Sequence, residues 1–142
     1  WADPEAATKV FDADGNKTMI GWNISRTYAV MTPEETDLLR KCGPIGRFAV
    51  DINADVDRYC RDNGLAGMDL PDPVAMAVAL DESIVTSSTE ERLVVGLDEP
   101  TRGAVLPDRR LDAARPNIRV VWAIDEAAFK NRLYDACRIR VS

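Results

Sequence analysis

Residues 73–80, PVAMAVAL, carry no polar side chain on any face of a helix, and they follow directly on Asp72 between two prolines. A helix that is apolar all round is expected to be buried on every side, so this segment predicts the centre of a layered fold. The carboxylate at its mouth then has two readings. Asp72 either caps the helix that Pro73 opens, worth about 1 kcal/mol and needing no function, or it lies on the floor of a cleft beside a cation or hydrogen-bond donors.

Segments that flank this helix alternate in type. Asp3 and Pro4 open a helix running to Phe11, DADGNK (12–17) is a turn, and Thr18–Ile24 reads as a buried strand. MTPEETDLLRKCG supplies a capping box, with Thr32 as cap and Glu35 reaching back, and Gly43 closes it. From Pro44 to Asn63 apolar residues recur at helical spacing, which predicts one long amphipathic helix. ERLVVGL, GAVLP and NIRVVWAI are strand candidates, and Asp125 to about Arg138 is a last helix with Ala128, Leu133, Ala136 and Cys137 on its apolar side. Alternating strands and helices predict an α/β class: part of an open, mostly parallel, Rossmann-like sheet flanked by helices. Residues 1–142 read as a single unit, yet no first strand leads into a glycine-rich turn, so the chain reads as part of a larger domain.

The chain has no histidine, which removes Ser-His-Asp and Cys-His hydrolases and most zinc sites. Chemistry is left to carboxylates, lysine, tyrosine or an oxygen-bound metal. A net charge of −6 opposes nucleic acid and acidic membrane surfaces, and no apolar run is long enough to span a bilayer. The opening WADPEAATKVF lacks a basic-then-apolar signal pattern. Three cysteines without a C-x-x-C pair suggest neither a disulfide framework nor a zinc site. Together these features predict a protein of the cytoplasm, and two Asn-x-Ser/Thr sequons are expected to go unused.

Three polar clusters have ordinary explanations. Asp12, Asp14 and Asn16 begin like a calcium loop, but Lys17 and Asn23 stand where glycine and glutamate are required. Asp51, Asp55 and Asp57 alternate with Arg47 and Arg61 at the spacing of a solvated helix face. Arg102, Arg109 and Arg110 could clamp an anion, though exposed arginines are usually solvated.

DPVAMAVALDESIVT, PTRGAVLPDRR and PNIRVVWAIDEAAFKNRLYDA, in that order, resemble the C-terminal half of the inosine-uridine preferring nucleoside hydrolases, and WADPEAATKVF, GWNIS, MTPEE and GPIGRF resemble the segments before it. The resemblance implies calcium-dependent hydrolysis of the N-glycosidic bond of ribonucleosides, in purine and pyrimidine salvage, by a homo-oligomer. It places Asp72 where the family has a metal-ligating aspartate and Tyr59 near an aromatic that meets the nucleobase. No catalytic residue is carried over. The family's D-x-D-x-x-x-D-D cluster belongs to an N-terminal half, which becomes an expected partner of this chain. Pro71 stands where a histidine often assists the departing base, so a modified nucleoside or another N-glycoside is also open as substrate. A reading of another class is a non-catalytic binding or oligomerisation module derived from the family.

Overall fold

A computed structural model describes residues 1–112 and 114–138. Its helices are α1 (Pro4–Asp12), α2 (Trp22–Tyr28), α3 (Pro33–Lys41), α4 (Pro44–Ile52), α5 (Ala54–Asp62), α6 (Pro71–Leu80) and α7 (Glu126–Arg138). Its strands are β1 (Thr18–Ile20), β2 (Val30–Met31), β3 (Met68–Asp69), β4 (Val85–Glu91), β5 (Leu93–Val95), β6 (Val105–Pro107) and β7 (Ile118–Ile124). The α/β class expected from the sequence is observed.

The chain divides into two compact units. The first comprises Trp1–Met19 and Ser87–Trp122. Most of a three-stranded sheet falls within it, in the order β1-β7-β4. The Asn117 N–H donates to the Glu91 carbonyl at 3.0 Å and the Trp122 indole to Thr89 Oγ1 at 2.7 Å, so β4 and β7 run antiparallel. β5 and β6 form an antiparallel ribbon with Val94 opposite Leu106. Leu93, Ile118 and Val120 are buried with Phe11 and Met19 packed against them. Asn117 ties this core together: its side chain accepts from the Leu93 N–H at 2.9 Å and donates to the Phe11 carbonyl at 3.0 Å. A half-buried amide with both ends satisfied fixes the entry into β7 as apolar contact alone would not.

The second unit comprises Ile20–Thr86 and the chain from Ala123 onward. Its helix starts follow the sequence chemistry. The Thr32 hydroxyl accepts from the Glu35 N–H while the Glu35 carboxylate accepts from the Thr32 N–H, the reciprocal capping box. Asp125 caps α7 by accepting from the Ala128 N–H at 2.9 Å. Met31, Leu39, Val50 and Cys137 form a buried cluster, packed by Cys42, Ile45, Leu70, Leu133 and Tyr134.

Three expectations need correction. The strand predicted over Thr18–Ile24 ends at Ile20, because Gly21 caps α2 and Trp22 to Tyr28 turn helical, burying Ile24 and Ser25. The single helix predicted over Pro44–Asn63 is two, α4 and α5, broken at Asn53 (φ −101°, ψ 10°), whose amide donates to the Ala49 carbonyl instead of continuing the ladder. Helix α6 is buried on one face only: Val74, Ala77 and Val78 are buried, while Met76 and Leu80 are 59% and 77% exposed. An apolar helix predicts burial by something, and among the described residues only one of its faces is covered. On α7, Phe129 and Cys137 are buried and Ala136 is exposed.

Candidate functional site

The segment carrying Asp72 is fixed from behind. β3 pairs antiparallel with β2, Met68 opposite Met31 and Asp69 opposite Val30. The Leu70 N–H then donates to the Ala29 carbonyl at 3.0 Å. Pro71 occupies the first position of α6 and Asp72 the second, so Asp72 is neither the cap nor engaged in a capping hydrogen bond. That disposes of the capping explanation for this residue. Its carboxylate is exposed in the first turn, where the helix dipole favours negative charge.

Tyr59 lies on α5 and is 63% exposed. Its carbonyl accepts from the Asn63 side chain at 2.8 Å, which closes the helix and leaves the phenol ring outward. Helix α5 packs on β3, the strand leading to Asp72. No hydrogen bond joins Tyr59 to Asp72 among the described residues. Neither do any three His, Cys, Asp or Glu side chains among them lie together as a metal would require. One exposed carboxylate does not satisfy the six to eight oxygens calcium takes, so the described residues do not by themselves make a calcium site.

Three residues before Asp72 is a polar cluster that sequence reasoning missed. The Trp22 indole N–H donates to Asp69 Oδ2 at 2.5 Å, and the Ser25 hydroxyl approaches the same oxygen at 3.3 Å and the Trp22 carbonyl at 3.0 Å. The Arg26 guanidinium stacks over the Trp22 ring, 4.9 Å from its centroid. A short turn separates β1 from α2 and brings this tryptophan beside the strand leading to Asp72. The sequence signal was GWNIS itself, whose Trp22 and Ser25, three residues apart, share a face only if the segment is helical.

The other clusters resolve into ion pairs. Asp51 pairs with Arg40 rather than Arg47, Asp55 with Arg58, and Asp57 with Arg61. Arg102 pairs with Glu5, Arg109 with Glu91 and Arg110 with Asp108. Hydrogen bonds from the Arg110 side chain and backbone hold the Asp108 carboxyl at a pKa of about 2.

The family pattern of the inosine-uridine preferring nucleoside hydrolases matches residues 1–131, and the chain belongs to that family. The pyrimidine-specific ribonucleoside hydrolase RihA of Shewanella woodyi is 30% identical over 135 residues, covering 91% of this chain and 42% of that protein. The solved purine-preferring ribonucleoside hydrolase from Gardnerella vaginalis superposes with a TM-score of 0.80 at 27% identity, over 96% of this chain and 45% of that one. A plant nucleoside hydrolase superposes at 0.83 with 20% identity, over 96% of this chain and 46% of its own. An inosine-guanosine nucleoside hydrolase does so at 0.82 with 23% identity, over 97% and 44%. The last two show the fold alone. This chain spans a little under half the length of each of these relatives. No described helix is long and apolar enough to cross a membrane.

Proposed function

We propose that the chain serves the hydrolysis of the N-glycosidic bond of ribonucleosides, as the C-terminal portion of one nucleoside hydrolase domain. In this reading Asp72 contributes one oxygen ligand to a calcium ion, and the remaining ligands and the base come from the D-x-D-x-x-x-D-D portion of the same enzyme. Tyr59 lies against the nucleobase. When bound, such a cation would lower the cost of forming hydroxide from water. The observation that carries the reading is the family match over residues 1–131 together with an Asp72 carboxylate that is exposed at the start of α6 with no cap to form. Pro71 has no proton to donate, which favours nucleosides whose base departs without acid assistance from that position.

The test is base release from inosine and uridine with calcium and after chelation, alongside the denatured intact mass of every polypeptide in the sample. Hydrolysis that chelation abolishes, in a sample holding the carboxylate cluster, is the expected result. Turnover by the 15.7 kDa chain alone in chelator would refute the reading. A binding or assembly module is the second reading, favoured by the exposed run Phe48, Ile52, Val56 and Tyr59 along α4 and α5. Tight calcium binding by the isolated chain in calorimetry would sink that alternative.

A further inference from the structure

The cysteines are nucleophilic groups that the proposed chemistry does not use, and two of them share one packed cluster. Cys137, in the last turns of α7, is buried with Met31, Leu39 and Val50, and Cys42, at the end of α3, packs against that group. The backbone after Cys42 runs directly over Cys137: a Cβ on Gly43 would stand 3.4 Å from the Cys137 carbonyl oxygen, and one on Gly46 would stand 3.5 Å from Cys137 Cβ. Burial, and then the neighbouring Cys42 thiol, push the Cys137 thiol pKa up.

Their exposure differs. Cys42 is half-buried and opens on a cavity of about 480 Å³, lined also by Leu38, Lys41, Tyr134 and Arg138. Its thiol donates to the Leu38 carbonyl at 3.4 Å. Cys137 does not line that cavity and is only 5% exposed. Cys60 is buried separately on α5.

We propose that Cys42 and Cys137 are a thiol pair oxidised by a small anionic disulfide, Cys42 reacting first from the cavity and Cys137 resolving the product. The Cys42 thiolate attacks one sulfur of the reagent, whose S–S bond breaks and whose other half leaves as thiolate. Cys137 then gives its proton to solvent and attacks the Cys42 sulfur, expelling the second thiolate. In the net reaction the two protein thiols lose two electrons and two protons, and the reagent disulfide becomes two thiols. Lys41 lines the cavity together with Arg138, whose guanidinium is paired with Asp135 at 2.9 Å, so Lys41 supplies the charge that an anionic reagent meets. Disulfide geometry requires Cα atoms within about 7 Å, a condition that this close backbone approach favours.

The test is incubation of the whole chain with glutathione disulfide under native conditions, followed by alkylation, intact mass and peptide mapping. The expected product is lighter by about 2 Da, from the two hydrogens lost on disulfide formation. It carries a Cys42–Cys137 linkage, with Cys60 alkylated only after unfolding. Cys137→Ala is expected to stop at a glutathione adduct on Cys42. A stable adduct on the unsubstituted chain, a bridge involving Cys60, or no reaction would each overturn the proposal. Should Cys137→Ala fail to fold, the peptide map of the unsubstituted chain decides the matter alone.

Discussion

Glu35 is the residue whose removal tests the energetics most directly, because one carboxylate serves two purposes. One oxygen accepts from the Thr32 N–H at 2.9 Å and the other from Lys130 Nζ at 2.7 Å, tying the start of α3 to α7. Lys130 also reaches Glu126 at 2.7 Å, and the Lys130 and Glu35 side chains are only 14% and 25% exposed. Losing half of a capping box costs about 0.5–1 kcal/mol, and losing a largely shielded ion pair costs about 1 kcal/mol, the upper end for surface pairs. Glu35→Ala should therefore destabilise the chain by about 1.5–2 kcal/mol, lowering Tm by about 4–8 °C at this chain length. Urea unfolding of Glu35→Ala, Lys130→Ala and the double variant should show a coupling of about 0.5–1 kcal/mol. The pH dependence has a definite sign. Burial pushes the Glu35 carboxyl up, but the Lys130 and Thr32 hydrogen bonds outweigh it and the pKa is lowered below 4.5. Its stabilisation is thus present above pH 4.5 and lost as pH falls through the lowered value. Burial lowers Lys130, and its bonds to Glu126 and Glu35 outweigh that, so its pKa is raised above 10.5. That contribution is complete below pH 10.5 and lost as pH rises past the raised value. A loss under 0.5 kcal/mol, or zero coupling, would refute the argument.

Three further outcomes are expected. Phe129 is 1% exposed, so Phe129→Ala should cost about 3–5 kcal/mol in denaturant unfolding; a cost near zero would mean that the α7 face is not packed as described. Gly46→Ala would set its Cβ 2.1 Å from the Leu39 carbonyl oxygen, which is backbone, so a loss of about 1–3 kcal/mol is expected by thermal melting. Asp72→Ala should leave the stability of this chain within about 0.5 kcal/mol, since the side chain is exposed and caps nothing, yet weaken calcium affinity in the complete enzyme; unchanged affinity in calorimetry would remove Asp72 from the site.

What could be read in advance follows the range of the interactions. Asp3, Thr32 with Glu35, and Gly43 act within one turn, and α1, α3 and the start of α4 appear where those residues put them. β7 was legible because IRVVWAI is rich in β-branched residues and apolar at six of its seven positions. β4 was missed because VTSSTEE is mostly polar; it is a strand through its pairing with β7, a partner about thirty residues further along. The break at Asn53 was hidden for a similar reason. Apolar spacing continues through it, and the local competition of one asparagine amide with the backbone leaves that pattern unchanged.

For the site, the sequence carried residue type and order but not surroundings. An apolar α6 implied burial, and from burial came the expectation of a cleft floor at Asp72. Its exposed Met76 and Leu80 separate the two ideas: the helix is apolar enough to be covered on a second face, and Asp72 stands at the end of that uncovered face's helix rather than under it. An apolar groove of about 400 Å³ between α6 and α7, lined by Met76, Leu80, Phe129 and Leu133, lies along the same helix. Exposing that much apolar surface costs about 25 cal/mol for each Å². A solvent-facing apolar helix with an exposed carboxylate in its first turn is what the proposed reading requires of this chain: a surface that gains by being covered, and an oxygen that further ligands could join.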